Sequence, residues 1–70
     1  MNRDEAIKYL LNKLKWCEID AAIALKNGDR GVLNYKHGEA RGYKSVLWDL
    51  YGVGSEQADA MVAIEINGRA

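Results

Sequence analysis

The stretch "LKNGDR", residues 25–30, decides how this chain folds. Asn27-Gly28 closes a run with helical spacing, and glycine accepts the left-handed backbone conformation that ends a helix. Asp29 follows directly, and its short carboxylate suits the N-cap of a new helix, where it accepts from free backbone N–H groups. A stop and a start this close make the flanking helices antiparallel neighbours. The expected fold is all-α: an antiparallel helical hairpin, with helices over about residues 3–26 and 30–51.

Outward from that turn, the caps and spacings agree. Asn2 stands three residues before Glu5, with Asp4 and Glu5 in the first turn, a good helix start. Ile7, Leu10, Leu14, Cys17, Ala21, Ala24 and Leu25 then recur at helical spacing. Beyond the turn the apolar face reads Val32, Tyr35, Ala40, Tyr43, Val46, Leu47, Leu50 and Tyr51, and Gly52 and Gly54 end it. Counting away from the turn places Leu10 near Val46 and Leu47, Leu14 near Tyr43, and small Ala21 near Tyr35. Ser55 is set to cap a short third helix, about residues 56–66, closed by Asn67-Gly68. "MVAIEI" within it also alternates like a strand; helix is preferred because a cap and a stop flank it and a lone strand has no partner here.

With 70 residues the chain makes one small helical domain, residues 1–70. A domain of this size buries only about 60% of its unfolded surface, so it needs staples or partners. One cysteine forms no internal disulfide, and one histidine beside it falls short of a structural zinc site. Self-association is the remaining common remedy. Ten basic residues balance ten acidic ones, which removes a bulk field for nucleic acid or anionic lipid. The start, Met-Asn-Arg-Asp-Glu, does not read as a signal peptide, and no apolar run approaches the ~18 residues of a membrane span. The single thiol fits a cytoplasmic setting. No internal repeat or low-complexity segment is evident.

The first helix carries more apolar surface than one partner covers. Tyr9, Trp16, Ile19 and Ile23 fall within roughly 80° of one another on a helical projection, away from the first stripe. Either the third helix folds back over them, or a second copy does, giving a dimeric helical bundle. The dimer is the expectation. On the second helix, Gly38, Gly42 and Ser45 form a stripe almost without side chains, extended by Gly31. Each helical glycine costs roughly 1 kcal/mol relative to alanine. Close helix packing there, or Trp16 laid across the groove, would offset that; the plain alternative is surface glycines tolerated by a well-packed helix.

The other flank of the second helix carries Asn34, His37, Arg41, Lys44 and Trp48 on one broad face. A tryptophan among basic residues is a natural anchor for a partner protein, and it would equally suit a base or a phosphate. The bland alternative folds Trp48 over the edge of the core.

Catalysis has little to stand on. No nucleophile or carboxylate is placed to work with His37. Cys17 lies on the apolar stripe as a small core residue, with nothing to make it a thiolate. Asp4 with Glu5, and Glu56 with Asp59, suit helix first turns and are not a metal pair. "YGVGSEQ" lacks the lysine and the preceding strand of a phosphate loop. No cofactor, metal or catalytic residue is implied. In general character (short, charge-balanced, helical, confined to one domain) the chain resembles the small accessory proteins of temperate phages and other mobile elements. That resemblance carries over no residue roles. The expected function is a small cytoplasmic, self-associating protein-binding module, an inhibitor or adaptor of a larger protein; the alternative is a nucleic-acid-associated regulator using the basic and aromatic face.

Overall fold

Asn2 and Glu5 close the first helix in both directions. The Glu5 amide donates to Asn2 Oδ1 at 2.8 Å, and Asn2 Nδ2 donates back to Glu5 Oε1 at 3.1 Å. In the computed structural model, which describes residues 1–68, helix α1 runs Arg3–Asn27, α2 Arg30–Tyr51 and α3 Ser55–Asn67, with no strand among the described residues. "MVAIEI" is therefore helical.

Both sharp connections rest on a glycine in the left-handed region. Gly28 has φ 71°, and the following Asp29 amide donates to Ala24 O at 2.8 Å, tying up a free carbonyl of α1. Asp29 Oδ1 then accepts from the Val32 amide at 3.1 Å, so one short segment both stops α1 and starts α2. Gly52, φ 70°, repeats the stop, with the Val53 amide donating to Leu47 O at 3.0 Å. The expected Ser55 cap is corrected: Ser55 is already helical, and Gly54 holds the extended cap position without a side-chain bond. Gly54 starts α3 rather than ending α2.

Leu14, Leu47, Val53, Ala58 and Val62 form the central cluster, with Ile7, Leu10, Leu11, Ala40 and Tyr51 packed around it. Val53 drops from the α2–α3 connection into this cluster and draws α3 in behind it. Small residues line the rest of the α1–α2 contact: Cys17, Ala21 and Ala24 are buried. Contacts between the two helices run in reverse order. Arg3 Nη2 donates to Tyr51 O at 2.8 Å, Cys17 Sγ donates to Glu39 Oε1 at 3.3 Å, and Lys36 pairs with Asp20 at 3.4 Å. Helix α3 lies against one side of this pair, fastened by Lys15–Glu65 (3.8 Å) and Lys44–Asp59 (2.6 Å).

The reading of the second helix's apolar face needs correction. Val32, Tyr35, Val46 and Leu50 are exposed, Tyr35 by 66% and Leu50 by 70%; Ala40, Tyr43, Leu47 and Tyr51 face inward. Leu25 of α1 is likewise exposed. Apolar residues occupy more than a third of α2's circumference, and α1 and α3 together cover only part of it. Tyr35 therefore does not seat over Ala21.

Candidate functional site

Two surfaces carry side chains that the core does not use. The first is the ridge of α2 beside α3. Asn34, His37, Arg41 and Trp48 are exposed along it, and Trp48, 62% exposed, does not fold onto the core. Lys44 is half-buried, its ammonium held by Asp59 of α3 at 2.6 Å. His37, Arg41 and Lys44 line a groove of about 580 Å³ between α1 and α2. Its floor is small and apolar: Ala21, Ala22, Leu25, Leu33 and Ala40. Asn34 and Trp48 lie outside that lining. The groove continues, toward the Gly28 turn, the trough that α3 fills at the other end. Glu18 is the acid on its wall. Burial, and then the nearby Asp59 carboxylate, raise its pKa, while Lys44 pulls the other way.

The second surface is the outer side of α1 and α2. Tyr9, Trp16 and Ile23 recur every seven residues on α1 and are each about half exposed, Trp16 by 51%. Ile19 is half-buried and shares a shallow concavity with Trp16 and with Ile66 of α3. Helix α3 thus reaches one edge of the stripe and leaves the rest open. On α2 the exposed Val32, Tyr35, Val46 and Leu50 follow helical spacing through Gly42. Ile23 and Val32 line one shared hollow at the turn end. Lysines sit over the rings of this side: Lys13 over Tyr9 (5.4 Å), Lys15 over Trp16 (5.3 Å) and Lys36 over Tyr35 (5.7 Å).

Gly38 and Gly42 face away from the core. A Cβ built on either meets no heavy atom within 4 Å, so no helix of this chain approaches them and Trp16 does not lie across them. The expectation of close packing within one chain is corrected. The reason is angular: both glycines sit on the far side of α2 from Leu47. Ser45, on the same stripe, donates to Asp49 Oδ2 at 3.2 Å.

Along the α1–α2 seam of this outer side runs a small charged network. Lys36 Nζ bridges Asp20 (3.4 Å) and Glu39 (3.3 Å), and Glu39 also accepts from the Cys17 thiol. Glu39 is held below its usual range by the thiol's hydrogen bond and by Lys36, and Lys36 is raised by its bond to Glu39. Burial, then the Glu39 carboxylate, push Cys17 up from 9.0 to about 11. A protonated, buried thiol is a poor nucleophile.

Among the described residues no three His, Cys, Asp or Glu side chains gather as a metal site, and no helix is long and apolar enough to cross a membrane. Sequence reasoning missed Val32, Tyr35, Val46 and Leu50 as surface residues and missed the Asp20–Lys36–Glu39 network. Their i, i+3, i+4 spacing was visible, but it does not say which of two apolar faces a neighbour takes. Comparison of the chain with protein families, curated proteins and solved structures yields no match.

Proposed function

We propose that this chain is a small cytoplasmic protein-binding module that self-associates and acts as an inhibitor or adaptor of a larger protein, of the kind phages and mobile elements encode. Helices α1 and α2 are its antiparallel hairpin, two hairpins assemble into a dimeric bundle, and the α2 ridge is left for the target. The reverse order of the α1–α2 contacts supports the hairpin. The observation that carries the binding reading is Trp48: a 62% exposed tryptophan on the ridge that holds Arg41 and His37. Exposed Trp and Arg on one face are the residues that dominate interface energetics. Lys44 is engaged with Asp59, which leaves this ridge poor in free positive charge and makes a phosphate backbone the less suitable occupant.

The test is affinity capture from host lysate with the parent and with the double variant Trp48→Ala, Arg41→Ala. Capture of one specific protein is expected, weakened by more than about 1 kcal/mol in the variant, as for hot-spot truncation. The variant's thermal stability should stay within about 0.5 kcal/mol, because both side chains are on the surface. Undiminished capture by the variant overturns the ridge as the site. Capture of nucleic acid that falls steeply with salt overturns the protein-partner reading.

A further inference from the structure

The outer sides of α1 and α2 match each other level by level, and that match points to what covers them. From Cys17 to Asp20 is three residues forward on α1, and their partners, Glu39 and Lys36, step three back on α2. Continuing this register sets Tyr9 level with Leu47, Trp16 with Ala40, and Ile23 with Leu33. The outward residues of α2 at those levels are Val46 beside Leu47, Glu39 beside Ala40, and Val32 beside Leu33, seven positions apart. Glu39 is drawn aside to Cys17 and Lys36, and Gly42 next to it has no side chain. The bulkiest side chain of the α1 stripe therefore stands at the height where the α2 stripe has no outward apolar side chain.

Resting on the self-association proposed above, we infer that two copies stack by this outer side about a two-fold axis parallel to the helices, so that α1 of each copy lies on α2 of the other. Such an axis keeps every level. Tyr9 meets the partner's Val46, Trp16 enters the gap at the partner's Gly42, and Ile23 meets the partner's Val32. Each contact occurs twice, as two-fold symmetry requires. An in-plane axis across the helices would instead press α1 on α1, Trp16 against Trp16 and glycine against glycine. That crowds one site and leaves a void at the other, both unfavourable in a packed core. Large against small selects the first arrangement.

Size and charge fit as well. Helices of 25 and 22 residues, about 37 and 33 Å long and about 9 Å apart, present a face of roughly 650 Å² in projection. Specific interfaces bury on the order of 800 Å² per partner. The face spans the 38 Å long axis of the molecule. Its polar midline, Asp20–Lys36–Glu39, is paired within each copy, so stacking leaves none of these three charges without a partner. The glycine gap is open in one chain, since an added Cβ there meets nothing.

The experiment uses the full chain. Light scattering between low micromolar and millimolar concentration should show a dimer. In a Cys17→Ala background, a Tyr9→Cys protein mixed with a Val46→Cys protein should form a mixed disulfide under mild oxidation; a Tyr9→Cys and Ile23→Cys mixture should not. Mixing two singly substituted proteins avoids bridging within one chain. Gly42→Leu should raise the dimer dissociation constant at least about tenfold, as for a hot-spot disruption, with helicity unchanged. A 7.8 kDa particle throughout overturns both this geometry and self-association. A dimer that cross-links through positions 9 and 23, or a Gly42→Leu dimer as tight as the parent, overturns the geometry alone.

Discussion

Cys17 shows how a single position links packing to pH. Its thiol is buried and donates to Glu39, and its pKa stands near 11 against 9.0 when unperturbed. A group whose folded pKa is raised contributes stability that is whole below the unfolded value and is lost as pH climbs through the folded one. The loss from Cys17 therefore falls between pH 9 and about 11 and approaches about 2 kcal/mol at its end. Denaturant melts of the parent and of Cys17→Ala across that window should diverge in slope, the parent weakening more steeply; parallel slopes would refute the buried, hydrogen-bonded thiol. Residues like Asn2 and Asp29 were legible in the sequence because each bonds a backbone amide three positions on. That Cys17 is a core residue was legible too. Its partner Glu39, 22 positions away, was not, because no local pattern records which carboxylate a fold will bring over a thiol.

At the scale of the element, α2 separates what periodicity reveals from what it hides. Its limits, Arg30–Tyr51, follow from Asp29 and Gly52, and both were readable. Its inward direction was not. Ala40, Leu47 and Tyr51 compete with Val32, Tyr35, Val46 and Leu50 for that role, and the outcome is fixed by the small residues Cys17, Ala21 and Ala24 that let α1 come close. The glycines test this orientation. Gly38 is helical, faces outward and has open space where its Cβ would be. Alanine there should raise stability by up to about 1 kcal/mol, through a smaller backbone entropy loss on folding. Leu14→Ala should lower it by about 2–5 kcal/mol, since Leu14 is fully buried at the centre of the cluster. Thermal melts of both single variants check the pair. A destabilising Gly38→Ala would mean that α2 is turned the other way.

The molecule as a whole has a thin core and a broad apolar exterior. Among the described residues only Leu14, Leu47 and Val62 are large side chains buried completely, while Trp48, Tyr35 and Leu50 are largely in water and Trp16 is half exposed. The shortage of staples was legible from 70 residues, one cysteine and one histidine. Which faces stay open required knowing where α3 lies, and α3 is placed by Val53, a connection residue no helical period includes. In the dimer proposed above, each chain would draw part of its stability from assembly, and assembly obeys mass action. Where dissociation and unfolding are one step, each chain carries half of RT ln of the concentration ratio, so a hundredfold rise in protein adds about 1.4 kcal/mol per chain. In a domain of this size 1 kcal/mol moves the midpoint by about 4–8 °C, so Tm should rise by roughly 5–10 °C over that range. Gly42→Leu should flatten the dependence, because its side chain fills the gap that the proposed partner's Trp16 needs, while its Cβ meets nothing within its own chain. Calorimetry at two concentrations reads both proteins directly: a parent midpoint independent of concentration would show that each chain is stable alone, with its apolar outer side unused.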